Sequence, residues 1–205
     1  VNVCGGRLTL PDARSVRQIF AALMLLALAG FYGETAATAE SLLGELKRPG
    51  HVLVLRHAYA PGTGDPGGFT LDDCSTQRNL SEAGRAQARN LGAKLRNAGV
   101  EAAHVYSSRW CRCLETAQAL GMGAVTGLPL LDSLFLSERV EIESRTRELK
   151  AFLADRKHAE PVILVTHQAN IRALVGRPTA SGEAVLLRIH SADAIDVVGT
   201  FLPDP

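Results

Sequence analysis

The feature that most constrains this chain is a repeated alternation of short, continuous apolar runs with segments of helical spacing. His51-Val52-Leu53-Val54-Leu55 is the first run, Ala103-His104-Val105-Tyr106 the second and Val162-Ile163-Leu164-Val165 the third. Runs that are apolar on both sides of the pleat read as strands covered on both faces, the pattern of a parallel sheet flanked by helices. After the first run, Ser81 caps a helix whose Ala83, Ala86, Leu91 and Leu95 recur at helical spacing up to the Gly99 stop. Ser107-Ser108 introduces a second helix from about Trp110 to Leu120. A charged helix from about Arg139 to Lys157 presents Ile142, Leu149, Phe152 and Leu153 as its apolar stripe, and another runs from about Gln168 to Val175. A short helix at Glu40–Lys47, weaker extended segments near Ala124–Val125 and Leu130–Leu131, and strands at Ala184–Ile189 and about Ile195–Phe201 complete the reading. The expected fold class is α/β, a three-layer α/β/α sandwich around a mostly parallel central sheet with right-handed crossovers.

Two stretches stand outside that alternation. At the N-terminus, Arg14 and Arg17 precede an apolar run from Ile19 to about Gly30, and Ala37-Thr38-Ala39 follows with the small-x-small pattern of a secretory cleavage site. The run is shorter than the roughly 20 residues of a spanning helix. The expectation is a cleaved leader over residues 1–39, a folded domain over residues 40–205, a periplasmic or secreted destination and no stable membrane insertion after cleavage. The second stretch, Ala60 to Asn79, is rich in proline, glycine and polar residues and lacks periodicity. A loop of that length inside a compact domain is usually functional.

Charge and cysteines narrow the function classes. The formal net charge is +1, and residues 40–205 hold equal numbers of acidic and basic side chains. A neutral body offers no sequence-independent attraction to nucleic acid, so any anion must meet locally gathered arginines. Loss of the leader would leave Cys74, Cys111 and Cys113 in an oxidising compartment, where a disulfide is expected. Cys111 and Cys113 should leave a helix on different sides, so at most one is placed to meet Cys74, and the sequence does not choose between them. No closely spaced Cys/His set suggests a metal site.

Chemistry collects where the strands end. Ligands of such a sheet gather at the carboxyl ends of its strands. The first run ends in Arg56-His57, the second leads into Ser107-Ser108 and Arg112, and the third ends in Thr166-His167. A histidine at a strand end is by itself most simply satisfied by backbone, and a lone helical arginine is most simply solvated. Two histidines and two arginines brought to one edge make an anion pocket instead. Guanidinium groups grip phosphate oxygens in pairs and cannot lose their charge, while an unprotonated imidazole is a competent nucleophile near neutral pH.

Leu55-Arg56-His57-Ala58, Leu80-Ser81-Glu82-Ala83-Gly84, the stretch from Ser107 to Ala117, and Thr166-His167 followed by Asn170-Ile171 together resemble the ordered signatures of the histidine phosphatase superfamily, with its phosphoglycerate mutase-like fold. The resemblance implies that His57 is phosphorylated, that Arg56 and Arg112 clamp the phosphate and that His167 is a further phosphate ligand. It also implies a carboxylic acid that protonates the leaving oxygen. Pro129, Leu136, Ser137 and Glu138 resemble the element that carries it in one branch, which makes Glu138 the candidate general acid and Asp132 the reserve. Arg78 and Gln77 in the polar loop, and Glu183 before a strand, are candidates for lining the site or for holding turns.

The leading expectation is therefore an exported, metal-independent and cofactor-independent phosphomonoester hydrolase with a phosphohistidine intermediate, acting on a phosphorylated small molecule or an envelope component. A phosphoglycerate mutase-type phosphotransferase is the first alternative, although the Ala60–Asn79 loop departs from the mutase signature. A non-catalytic phosphoryl-binding module is the second. A thiol nucleophile at Cys111 or Cys113 is a further reading, but no Gly-rich phosphate loop follows either cysteine.

Overall fold

Strand residues that alternate between two faces build two apolar layers, one on each side of a single sheet. The computed structural model of the protein describes residues 39–155 and 160–203, and Glu40–Pro205 forms a compact unit by itself. The expected leader, apart from Ala39, lies outside the described residues, as do Lys157 and His158.

Strands β1 (His51–Arg56), β2 (His104–Ser107), β3 (Val125–Gly127), β4 (Val162–Thr166), β5 (Ala184–Ile189) and β6 (Ile195–Phe201) join in the order β3-β2-β4-β1-β5-β6. Pairing is parallel between β1 and β4, β4 and β2, and β2 and β3. It is antiparallel between β1 and β5 and between β5 and β6, so β5 alone runs against the rest. Because β5 is reversed, its first residues lie beside the last residues of β1, with Ala184 opposite Leu55.

The helices that cover the sheet are α1 (Glu82–Asn97), α2 (Cys111–Leu120), α3 (Arg139–Asp155) and α4 (Gln168–Val175), and residues 39–44 are also helical. Leu53, Leu55, Ile163 and Val165 pack on one face with Leu91 and Leu95 of α1 and Ala117 and Leu120 of α2. The alternate residues Val52, Val54, Val162 and Leu164 pack on the other face with Leu149 and Leu153 of α3 and Ile171 and Leu174 of α4. The three-layer α/β/α arrangement around a mostly parallel sheet follows from this period of two. Among the described residues no helix is long and apolar enough to cross a membrane.

One local expectation changes. Leu130–Leu131 is not extended: Pro129–Leu131 forms a 3-10 turn with Pro129 at its start, and Leu131 is buried. Proline favours that first position because its φ is preset and its missing N–H would be unpaired there.

Two glycines bring α1 close to its neighbours. A Cβ on Gly92 would stand 2.0 Å from the Leu120 carbonyl oxygen of α2, and one on Gly84 would stand 2.1 Å from the Tyr59 carbonyl oxygen. Ser81 accepts the Gly84 amide at 3.1 Å and its own amide donates to the same Tyr59 carbonyl at 3.1 Å. The capped start of α1 is thereby pinned to the backbone two residues beyond His57, which explains why a glycine follows the cap at this spacing.

Candidate active site

The pairing register itself assembles the pocket. Arg56 lies opposite Thr166 on the adjacent parallel strands β1 and β4, so the residues that follow, His57 and His167, leave the sheet side by side. The His57 amide donates to the Thr166 carbonyl at 2.9 Å, and the two imidazole centroids are 5.6 Å apart at 69°. β2 ends alongside, and Ser108 donates its amide to the Val165 carbonyl at 2.9 Å. Arg112 comes from the first turn of α2. His57, Arg112 and His167 are all buried, exposing 2%, 3% and 4% of their surface.

Hydrogen-bond chemistry fixes which ring nitrogens carry protons. Nδ1 of His57 lies 2.8 Å from the Ala58 carbonyl oxygen, an atom that can only accept, so Nδ1 holds the hydrogen and Nε2 keeps its lone pair. Burial lowers the His57 pKa to about 3, against the pull of the Ala58 hydrogen bond and with further lowering from Arg112, Arg56 and Arg78. The ring is therefore neutral at ordinary pH. His167 is also held well below the ordinary histidine value, mainly by burial and then by neighbouring His57 and Arg112. An amino group of Arg112, a donor, lies 3.5 Å from His167 Nδ1, so Nε2 carries the proton toward Ser108 Oγ at 2.8 Å. Ser108 in turn donates to Asp132 Oδ1 at 3.4 Å.

The arginines are braced by the protein around them. Arg56 donates one amino group to the Thr179 carbonyl at 2.7 Å, and Arg112 donates one to Asp65 Oδ1 at 2.8 Å. The Nε groups of Arg56 and Arg112 are buried and have no acceptor among the described residues. Arg56 and Arg78 have lowered pKa values, first through burial and then through repulsion from Arg112. Three guanidinium groups thus crowd one volume, an arrangement suited to a polyvalent anion. The residues leading into the reversed strand β5 close the edge: the Gly182 amide donates to the His57 carbonyl at 3.1 Å and the Arg56 backbone amide donates to the Glu183 carbonyl at 3.1 Å.

His57, Arg56, Arg112 and His167 therefore come together, as their positions after the strands suggested. Glu138 does not join them by any bond: it is exposed just before α3, and its carboxylate has no hydrogen-bond or ion-pair partner among the described residues. Asp132 lies under the pocket, but Arg109 takes its Oδ2 through two donors at 2.8 and 2.6 Å and its Oδ1 through the backbone amide at 2.9 Å. Glu183 holds its own turn, pairing with Arg177 and accepting the Ala180 amide at 2.8 Å. Gln77 is also a brace, donating to the Thr70 and Leu71 carbonyls and accepting the Cys111 amide at 3.0 Å. Arg78 faces the arginine cluster electrostatically while its side chain ties the loop through the Gly64 and Ala60 carbonyls at 2.8 and 2.7 Å.

The cysteines resolve into different roles. Cys74 and Cys111 form a disulfide with Cα atoms 5.6 Å apart, which fastens the long loop to the start of α2 beside Arg112. Cys113 faces the core, and burial pushes its thiol up to about 12. With one thiol oxidised and the other held protonated, neither is an activated nucleophile. Asp65, the buried Thr116 hydroxyl that receives the Ala58 amide at 3.0 Å, and the Arg109–Asp132 pair were not singled out by their sequence context. Each depends on a contact between distant segments.

Comparison with known proteins agrees with this geometry. The model of the histidine phosphatase superfamily (branch 1) matches residues 53–139, a span that includes Arg56, His57 and Arg112. A putative phosphohistidine phosphatase SixA from Agrobacterium tumefaciens is 20% identical with a TM-score of 0.53, the alignment covering 76% of this chain and 99% of that one. The product of an open reading frame of Mycobacterium tuberculosis is 16% identical with a TM-score of 0.61, over 76% of this chain and 99% of that one. A phosphoserine phosphatase from Entamoeba histolytica, solved with 3-phosphoglyceric acid, is 14% identical with a TM-score of 0.57, over 76% and 97% of the two chains. A sequence search of curated proteins finds no match. Over residues 53–139 the chain matches the histidine phosphatase superfamily, and it has the α/β fold of phosphoglycerate mutase-like structures. Proteins of this superfamily are generally phosphatases or mutases.

Proposed function

We propose that the protein is a phosphomonoester hydrolase that works through a phosphohistidine on His57. The observation that carries this reading is the pairing of an unprotonated His57 Nε2 with crowded guanidinium groups of Arg56, Arg78 and Arg112 in one buried pocket. Nε2 attacks phosphorus as the bond to the leaving oxygen breaks, and that oxygen takes up a proton. Water then attacks phosphorus, giving a proton back to the acid that protonated the leaving oxygen, the P–N bond breaks and inorganic phosphate leaves with His57 neutral again. Arg56 and Arg112 offset the charge on the equatorial oxygens, and His167 adds an imidazole beside them. This charge stabilisation comes from arginine, so no step requires a metal ion.

Glu138 is our proposed proton donor. Its carboxylate is exposed just before α3 and has no partner among the described residues, whereas Asp132 is committed to Arg109. Several similar structures belong to proteins named as hydrolases of different phosphorylated compounds, among them a SixA protein histidine phosphatase and a mycobacterial glucosyl-3-phosphoglycerate phosphatase. What they share by name is removal of a phosphoryl group, which supports hydrolysis rather than selecting a substrate. Export belongs to the same proposal: the leader pattern over residues 1–39 and the Cys74–Cys111 disulfide both suit an oxidising compartment, where cytosolic phosphoglycerates are scarce.

The test is phosphate release from an aryl phosphate and from an alkyl phosphate in the presence of a chelator. We expect His57→Ala to lose at least about a thousandfold in rate. Glu138→Gln should be slowed more on the alkyl ester, whose leaving group needs a proton, than on the aryl ester. Hydrolysis that survives His57→Ala, or that requires added metal, would sink the mechanism. Transfer of the phosphoryl group within a phosphoglycerate without net release would instead favour the mutase. Tight phosphate binding with no turnover would mark a binding module.

A further inference from the structure

The residue with the most consequential unassigned position is Asp65, in the proline- and glycine-rich loop. Its carboxylate accepts from three donors around the pocket: Arg112 at 2.8 Å and the Arg78 amide at 3.0 Å on Oδ1, and the Trp110 indole at 3.1 Å on Oδ2. Its side chain is only 8% exposed. Burial raises its pKa, but hydrogen bonds from Arg112, Arg78 and Trp110 and the charge of Arg112 outweigh this and hold it below the usual carboxylate value. It is therefore an anion throughout the neutral range.

This anion decides how Arg112 is presented. One amino group of Arg112 is bound by Asp65, the other lies 3.5 Å from His167 Nδ1, and Nε has no acceptor among the described residues. The guanidinium plane is thus set by a protein carboxylate. The loop that supplies Asp65 is itself fixed by Cys74–Cys111, by Gln77 on the Cys111 amide and by Arg78 on two loop carbonyls. We infer that Asp65 is a positioning residue: it orients the Arg112 guanidinium for the in-line transition state and offsets part of the charge of the arginine cluster. Preorganised donors matter most where geometry is most demanding, so the effect should be larger on a trigonal-bipyramidal ligand than on a tetrahedral one.

The inference rests on the phosphoryl-transfer reading of the His57 pocket, and its test is read without turnover. Binding of orthovanadate, which imitates the in-line geometry, and of inorganic phosphate would be measured by calorimetry on the protein and its variants. Removing the charge in Asp65→Asn raises the positive potential felt by both ligands, so the ratio of the two affinities isolates orientation. We expect the vanadate-to-phosphate ratio to fall at least about tenfold in Asp65→Asn. In Asp65→Glu, which restores the charge, it should return to within about threefold of the parent. Trp110→Phe, which deletes the donor to Oδ2 while keeping an aromatic ring beside Phe69 and His167, should lower it about threefold and carries the test if Asp65→Asn does not fold. An unchanged ratio in Asp65→Asn, or in Trp110→Phe where that variant stands in, overturns the inference. So does an equal loss of both ligands, which would mark Asp65 as a support for the loop alone. A parent protein that binds both anions but hydrolyses no phosphate ester would defeat the phosphatase reading and leave the ratio to judge Asp65.

Discussion

His57 illustrates how one side chain acquires a role from its surroundings. The Ala58 carbonyl selects its tautomer, and burial among arginines lowers its pKa to about 3. The unfolded chain binds a proton at the ordinary value of about 6.5, whereas the folded one resists it until far lower pH. Between about pH 6.5 and 3 the unfolded state therefore holds more protons, and stability must fall as the pH is lowered through that window. Denaturant melts at pH 7 and pH 4.5 should show this loss, and His57→Ala should lose less than the parent. In the same range the proposed nucleophile remains unprotonated, so kcat/KM should show no acid limb centred on 6.5. A half-maximum there would contradict the assigned environment. The four pocket residues were legible because each stands directly after an apolar strand or at the first turn of a helix. Asp65 was not, since nothing in a stretch without periodicity announces that one carboxylate will meet α2. Nor was the engagement of Asp132 by Arg109, because no local pattern couples residues on opposite sides of α2 and β3.

At the scale of elements, the strands and helices followed their patterns closely. Ser81 caps α1 as read, and α4, β5 and β6 have the expected bounds. The exception near Leu130 follows from Pro129, which starts a tight turn more readily than it joins a sheet. The choice between Cys111 and Cys113 needed tertiary contacts: one side of α2 faces the loop and the other faces the core and His167, and the helix alone does not say which. The pair that forms joins residues 37 apart in sequence. Chain-entropy arguments give such a link about 3–4 kcal/mol. Unfolding of Cys74→Ser/Cys111→Ser, compared with the oxidised parent, should show a loss of that order. A difference below about 1 kcal/mol would mean that hydrogen bonds already hold the loop as firmly as the link does.

For the whole molecule, the two apolar layers and the pocket belong to the unit from Glu40 onward. The α/β class was readable because each buried strand alternates between two covered faces, a property of local sequence. The strand order was not, since it depends on which crossover returns beside β1. If residues 1–39 are a leader, protein recovered outside the cytoplasm should begin near Glu40, as read by N-terminal sequencing. Protein starting there should unfold in one cooperative transition. Recovery of the full-length chain from the membrane fraction would instead identify an anchor. The bond between Cys74 and Cys111 then acquires a topographical meaning. On the reducing side of a membrane the same polypeptide would keep its sheet and both imidazoles, yet Asp65 would ride on a slacker tether. Arrival in an oxidising space would complete the catalytic edge, so that maturation and full competence coincide in place.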